Sequence, residues 1–205
     1  MAAKQTTQHP VSSGNPCPFL RALVASGQLA DGQQSISSLV STIVDVVKKG
    51  EGAPSLPPPT IYGIAMVANG IGPMAVLRTN TQGVQLNALR GGPLDKQGAG
   101  SAIINVLGAI DSAELARVQQ FASEKTSAAG TKEQGLSLDE INTFMKANFK
   151  RAKGRWRLVD RALMQGEWPV LLKVMGKDGP GGRYLSLNDV RELFVERRLP
   201  ARMAG

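Results

Sequence analysis

The chain has 205 residues, the size of one domain, with 42% hydrophobic and 20% charged residues and a net charge of +8. Its one cysteine excludes an internal disulfide framework, and no apolar run approaches the ~18 residues of a membrane span. Only 4% of residues are aromatic, so the core is expected to be built from Leu, Val, Ile, Ala and Met.

Residues 1–14 are polar and read as a loose tail. They lack the apolar core of a signal peptide, which points to a soluble, cytoplasmic protein. Residues 15–205 read as a single, mainly α-helical domain. It begins with Asn15-Pro16-Cys17-Pro18-Phe19-Leu20-Arg21-Ala22-Leu23. Pro18 suits a first helical turn, where its missing N–H costs nothing. Phe19, Leu20, Leu23 and Val24 recur on one side, so the spacing predicts a helix over 18–26 closed by Gly27. Cys17 then sits at the helix N-terminus, where free N–H groups and the positive dipole end favour thiolate over thiol. Pro16 and Pro18 give its sulfur a defined direction. As a nucleophile Cys17 would want a histidine, and the only one, His9, lies in the tail. One cysteine is too few for a structural zinc site but enough to hold haem iron from one side. A buried, inert cysteine fits the same pattern.

Asp31-Gly32-Gln33-Gln34 reads as a turn, and 35–49 as a helix rich in β-branched residues that ends at Gly50 and Gly52. The proline-rich run 53–60 reads as an extended, stiff connection. Residues 61–73 are apolar and glycine-rich. They predict a buried helix of about two turns broken at Gly70, whose small residues let a flat cofactor or another helix come close. Residues 74–90 alternate weakly around Asn80-Thr81-Gln82-Gly83 and predict a short β-hairpin. The stretch 94–110 is ambiguous.

Three helix starts then look alike: Asp111-Ser112-Ala113-Glu114, Ser137-Leu138-Asp139-Glu140 and Ser186-Leu187-Asn188-Asp189. Each sets an acidic residue three after an N-cap oxygen, the capping-box spacing. Between the last two, 156–175 predicts a helix interrupted at Pro169. Glu167 stands there as one carboxylate in an apolar segment, surroundings that raise a carboxyl's pKa and suit it to carry a proton. A surface glutamate on an amphipathic helix fits the same residues. Residues 178–189 have the length of a calcium loop, but Pro180 and Gly182 fall at positions three and five and offer no side-chain oxygen, so calcium is not expected. Basic residues concentrate in 146–161 and 191–202. They read as a solvated helical surface or a field for an acidic partner. Without interleaved aromatics, no specific nucleic acid is expected.

The segment Asn15 to Leu23, continued by Ser26-Gly27-Gln28-Leu29, resembles the Pro-Cys-Pro segment of the haem-thiolate peroxidases, the fungal chloroperoxidase and unspecific peroxygenase family. Gly166-Glu167, the apolar Val170-Leu171-Leu172, the glycine-rich 176–182, the run 185–194 and Arg197-Arg198-Leu199-Pro200 follow the order of that family's distal-acid segment and last helix. The resemblance implies haem b, with Cys17 between Pro16 and Pro18 as proximal iron ligand and Glu167 as distal acid–base. It also implies departures. The family's arginine, seven residues before the acid, falls on Asp160, which leaves that role vacant or to Arg161 or Arg157. The family's magnesium triplet has no counterpart in Leu94 to Ser101, so magnesium is not expected. Familiar members are secreted. Glu167-Trp168, Leu185-Ser186-Leu187 and Val190-Arg191 are more weakly similar to the C-terminal half of caleosins, haem peroxygenases that use histidine ligands this chain lacks.

The expectation is a haem-thiolate protein that uses hydrogen peroxide to oxidise or oxygenate a small organic substrate. The alternatives are a haem-binding sensor or carrier without turnover, and a cofactor-free basic helical interaction module.

Overall fold

Proline opens three of the first four helices. In α1 (Pro18–Ala25), α3 (Pro58–Ala68) and α4 (Pro73–Gln82) it occupies the first turn, where a fixed φ is already helical and no N–H is needed. The computed structural model describes residues 8–52, 54–70, 72–92, 94–95, 101–152 and 158–203. α1 ends as expected: Gly27 takes φ +75°, and the Gln28 N–H returns to the Leu23 carbonyl at 2.9 Å. Ser35 caps α2 (Ile36–Val47) by accepting the Ser38 N–H at 3.2 Å.

The 53–60 connection is shorter than expected, because α3 begins at Pro58. The hairpin expected over 74–90 is absent. That stretch is α4, followed by a two-residue strand and a 3-10 turn over Leu86–Ala88. Pro73 starts the helix, and Met74, Ala75, Leu77 and Arg78 are good helix formers, which outweighs a weak alternation. The strand β2 (Val84–Gln85) pairs antiparallel with β1 (Gln33–Gln34), Gln34 opposite Val84. This sheet ties the turn after α1 to the end of α4.

The chain's hairpin lies further on. After α5 (Ser112–Gln119), β3 (Ser123–Thr126) and β4 (Lys132–Ser137) pair antiparallel, and β4 also pairs with β5 (Tyr184–Ser186). The fold is therefore mainly helical, with two small antiparallel sheets among the described residues. β4 runs into α6 (Leu138–Ala152), and β5 into α8 (Leu187–Phe194); α7 (Leu158–Met175) lies between them and continues through Pro169. Leu136 lies opposite Leu185 in the sheet. Around them Leu136-Ser137-Leu138-Asp139-Glu140 and Leu185-Ser186-Leu187-Asn188-Asp189 are near repeats, so two strand–helix units meet about an approximate twofold.

The three capping signals begin helices as expected, but only one closes reciprocally. Glu140 accepts the Ser137 N–H at 2.6 Å and donates its own N–H to Ser137 Oγ at 3.4 Å. Glu114 instead turns to Arg117 and Arg151, and Asp189 to Arg202.

The core is less purely aliphatic than the composition suggests. Phe121, Phe144, Trp168 and Phe194 form a line with ring centroids 5.3, 5.0 and 5.8 Å apart, joining α6, α7 and α8. α8 also packs on α1. Residues 8–14, expected to be loose, are fastened. The His9 N–H bonds the Ala25 carbonyl, Gln8 Nε2 the Glu196 carbonyl, and the Ser12 N–H Asp31 Oδ2.

Candidate functional site

Cys17 is the N-cap of α1, with extended φ and ψ of −83° and 116°. Its side chain makes no capping hydrogen bond, and the residue is half-buried. The chain leading to it is held from three sides. Asn15, fully buried, accepts the Cys17 N–H on Oδ1 at 3.1 Å. Gly14 lies so near Asn87 that a Cβ there would stand 1.9 Å from the Asn87 carbonyl oxygen. Arg21, one turn into α1, reaches back: Nη1 donates to the Ser12 and Asn15 carbonyls at 3.0 and 3.1 Å, and Nη2 to the Gly108 carbonyl at 3.0 Å.

Arg90 repeats this pattern, donating to the carbonyls of Ser13, Ile104 and Asn105 and pairing with Asp95 at 3.3 Å. Two guanidinium groups thus clamp residues 12–15 to the 104–108 loop. Arg21 is only 4% exposed and, among the described residues, takes no carboxylate in a direct bond. Burial lowers its pKa, as do Arg197 and Arg90 nearby, while Asp31 and Cys17 act the other way.

Two buried donors here have no partner among the described residues: Asn15 Nδ2 and Arg21 Nε. The first belongs to the amide that holds the Cys17 N–H, and the second to the side chain that wraps the same turn. Buried polar atoms left unbonded are costly, and both sit in the turn that carries Cys17. The sequence reading missed Asn15 and Arg21. No local signal marks Arg21, because Cys17 is an extended N-cap and a four-residue spacing from it does not set the two on one helical face.

His9 lies at the other end of α1, where its Nε2 would stand 2.8 Å from a Cβ on Gly27. An eight-residue helix, roughly 12 Å long, separates it from Cys17, so the two form no Cys–His pair.

Glu167 is half-buried on α7, beside Trp168, which is buried between Phe144 and Phe194 and whose Nε1 has no partner among the described residues. α7 packs chiefly on α6 and β5, whereas α1 packs on α8. Arg157 lies outside the described residues, as do the side chains of Asp160 and Arg161 and most of the 94–101 stretch. Two open cavities of about 450 and 360 Å³ lie elsewhere, one between α3, α4 and the Leu86–Ala88 turn, the other between β1, the start of α2 and the end of α4. Neither is bordered by Cys17 or Glu167.

Among the described residues no three His, Cys, Asp or Glu side chains converge as a metal-binding group. In the calcium-length loop Asp178 accepts from Arg183 Nη1 at 2.9 Å, and Asp189, at the other end, from Arg202 at 3.0 and 2.7 Å. A haem would need only one protein atom on its iron, the role a Cys17 thiolate would take, and neither cavity lies against it.

No protein-family model matches the chain, and no curated protein or solved structure is significantly similar to it.

Proposed function

We propose that the protein is a haem-thiolate peroxidase or peroxygenase, with Cys17 on the iron of haem b and Glu167 as the proton carrier. The observation that supports this best is the end of α1: a half-buried cysteine at the helix N-terminus, between two prolines and beside the buried guanidinium of Arg21. When bound, the haem supplies the activation of hydrogen peroxide, which a thiolate ligand promotes. The chain does the rest. Pro16 and Pro18 fix the direction of the sulfur, and Asn15 holds the Cys17 backbone. Arg21 locks the turn and places positive charge beside the anionic sulfur. A Glu167 carboxylate oxygen takes a proton from one peroxide oxygen and returns it to the other. The substrate would be a small organic molecule. The two cavities lie away from both residues, which favours the second reading, a haem sensor or carrier without turnover.

Absorption spectra of haem-reconstituted wild type and Cys17→Ala, reduced under carbon monoxide, test the ligand. A strongly red-shifted Soret band in the wild type that disappears in the variant is expected. No Soret band in either protein would discard the haem reading and leave the basic interaction module. Peroxide turnover by Glu167→Gln then separates enzyme from sensor: a loss of about a hundredfold is expected, and unchanged turnover removes the proton carrier.

A further inference from the structure

α3 is apolar around its whole circumference, yet only Ile61 and Ala65 of its 11 residues are buried. Such a helix belongs in a protein interior or in lipid. α4 follows after a bend of 107°. It buries Ala75 and Thr79 and turns Met74 and Leu77 outward, 57% and 53% exposed, with Arg78 on the same face by its i, i+4 spacing from Met74. Hydrogen bonds hold the elbow: Tyr62 Oη donates to Asn80 Oδ1 at 2.9 Å, and Asn69 Nδ2 to Thr79 Oγ1 and the Gly83 carbonyl at 2.9 and 2.7 Å. The apolar face is therefore presented in a fixed shape. Helices of 11 and 10 residues are too short to cross a bilayer, which takes about 20.

The charge on the elbow itself has one sign. No carboxylate occurs between Glu51 and Asp95, where the charged residues are Arg78 and Arg90. Arg78 is exposed, whereas Lys48 at the end of α2, which packs on α3, stands 4.0 Å from the Asp45 carboxylate. The elbow of a second copy of the chain would bring no carboxylate of its own to pair Arg78.

We propose that the α3–α4 elbow docks on an anionic lipid surface, with Ile64, Met74 and Leu77 entering the acyl boundary and Arg78 meeting the headgroups. The docking requires no haem and stands apart from the chemistry at Cys17.

The test is co-flotation of the full chain, without haem, with vesicles of phosphatidylcholine alone or with phosphatidylglycerol added. Wild type is expected to float with the anionic vesicles, less with the neutral ones, and less at high salt. Met74→Asp/Leu77→Asp should weaken flotation by about tenfold or more, while Leu138→Asp, an equally exposed apolar site on α6, should not. Arg78→Glu should lose the preference for anionic vesicles and keep its thermal melt, because among the described residues the arginine makes only a 3.5 Å bond to the Asn69 carbonyl. Wild type that stays at the bottom of the gradient with anionic vesicles would overturn the proposal. So would an aspartate double variant that floats unchanged, or one that only splits a dimer in size-exclusion chromatography.

Discussion

At Glu140 a lysine, two serine hydroxyls and a backbone amide serve one carboxylate. Burial alone would raise its pKa, but hydrogen bonds from Lys125, Ser123 and Ser137 outweigh burial and hold it at about 2. A folded-state pKa below the unfolded value adds stability that is complete above pH ~4.5 and drains away as pH falls toward 2. Glu140→Gln should therefore cost about 1–3 kcal/mol at pH 7. Urea melts from pH 7 to pH 2 should show the two proteins converging as acid protonates the wild-type carboxylate. A gap that is constant with pH would mean that the glutamine loses packing instead of charge. Residues of this kind differ in how plainly the sequence announces them. Ser137 and Glu140 stand at a recognised spacing and behave accordingly. Arg21 looks like any helix-surface arginine, because nothing local in the chain says that the carbonyls of Ser12, Asn15 and Gly108 will fold around it.

Elements were legible where one local force dominated. α1 and α2 begin at a proline and a serine cap and end at glycines, and their apolar residues recur at helical spacing. The hairpin reading of α4 fails because a weak alternation over so few residues does not separate two periods, and Pro73 is a helix start. β3 and β4 were missed because their strands are largely polar, so no alternation marks a buried face. What settles the end of α4 is a backbone requirement. Gly83 holds φ +69°, and a Cβ there would lie 1.8 Å from the Gln34 carbonyl oxygen, inside the β1–β2 pairing. Gly83→Ala must open that pairing and strain its own backbone. It should cost at least about 2 kcal/mol and raise amide exchange at Gln34 and Gln85 before the rest of the fold loosens. Gly91→Ala is the control. Its φ is also positive, +73°, but no atom lies within 4 Å of the new Cβ, so its cost should stay near about 1 kcal/mol.

Across the whole molecule, the C-terminal segment closes what the two strand–helix units leave open. Leu199, Pro200 and Met203 are buried, and Arg202 reaches both Asp189 on α8 and the Met175 carbonyl at the end of α7. Asp189 occupies the place in its unit that Glu140 occupies in the other, and each is answered by a cation from the chain, Arg202 or Lys125. This correspondence is visible in the repeated Leu-Ser-Leu. The identity of the cations is not, because both arrive from distant segments. Asp189 is almost wholly buried, so removing its partner leaves a charge in a poor solvent. Arg202→Ala should cost about 2–4 kcal/mol. Asp189→Asn with Arg202→Gln should cost less than the two single changes added together, by at least about 1 kcal/mol, since neither charge is then left alone. Urea denaturation of the four proteins closes the cycle. Strict additivity would show that Arg202 acts through its bond to Met175 and not through Asp189, and the two helices would then be joined by packing alone.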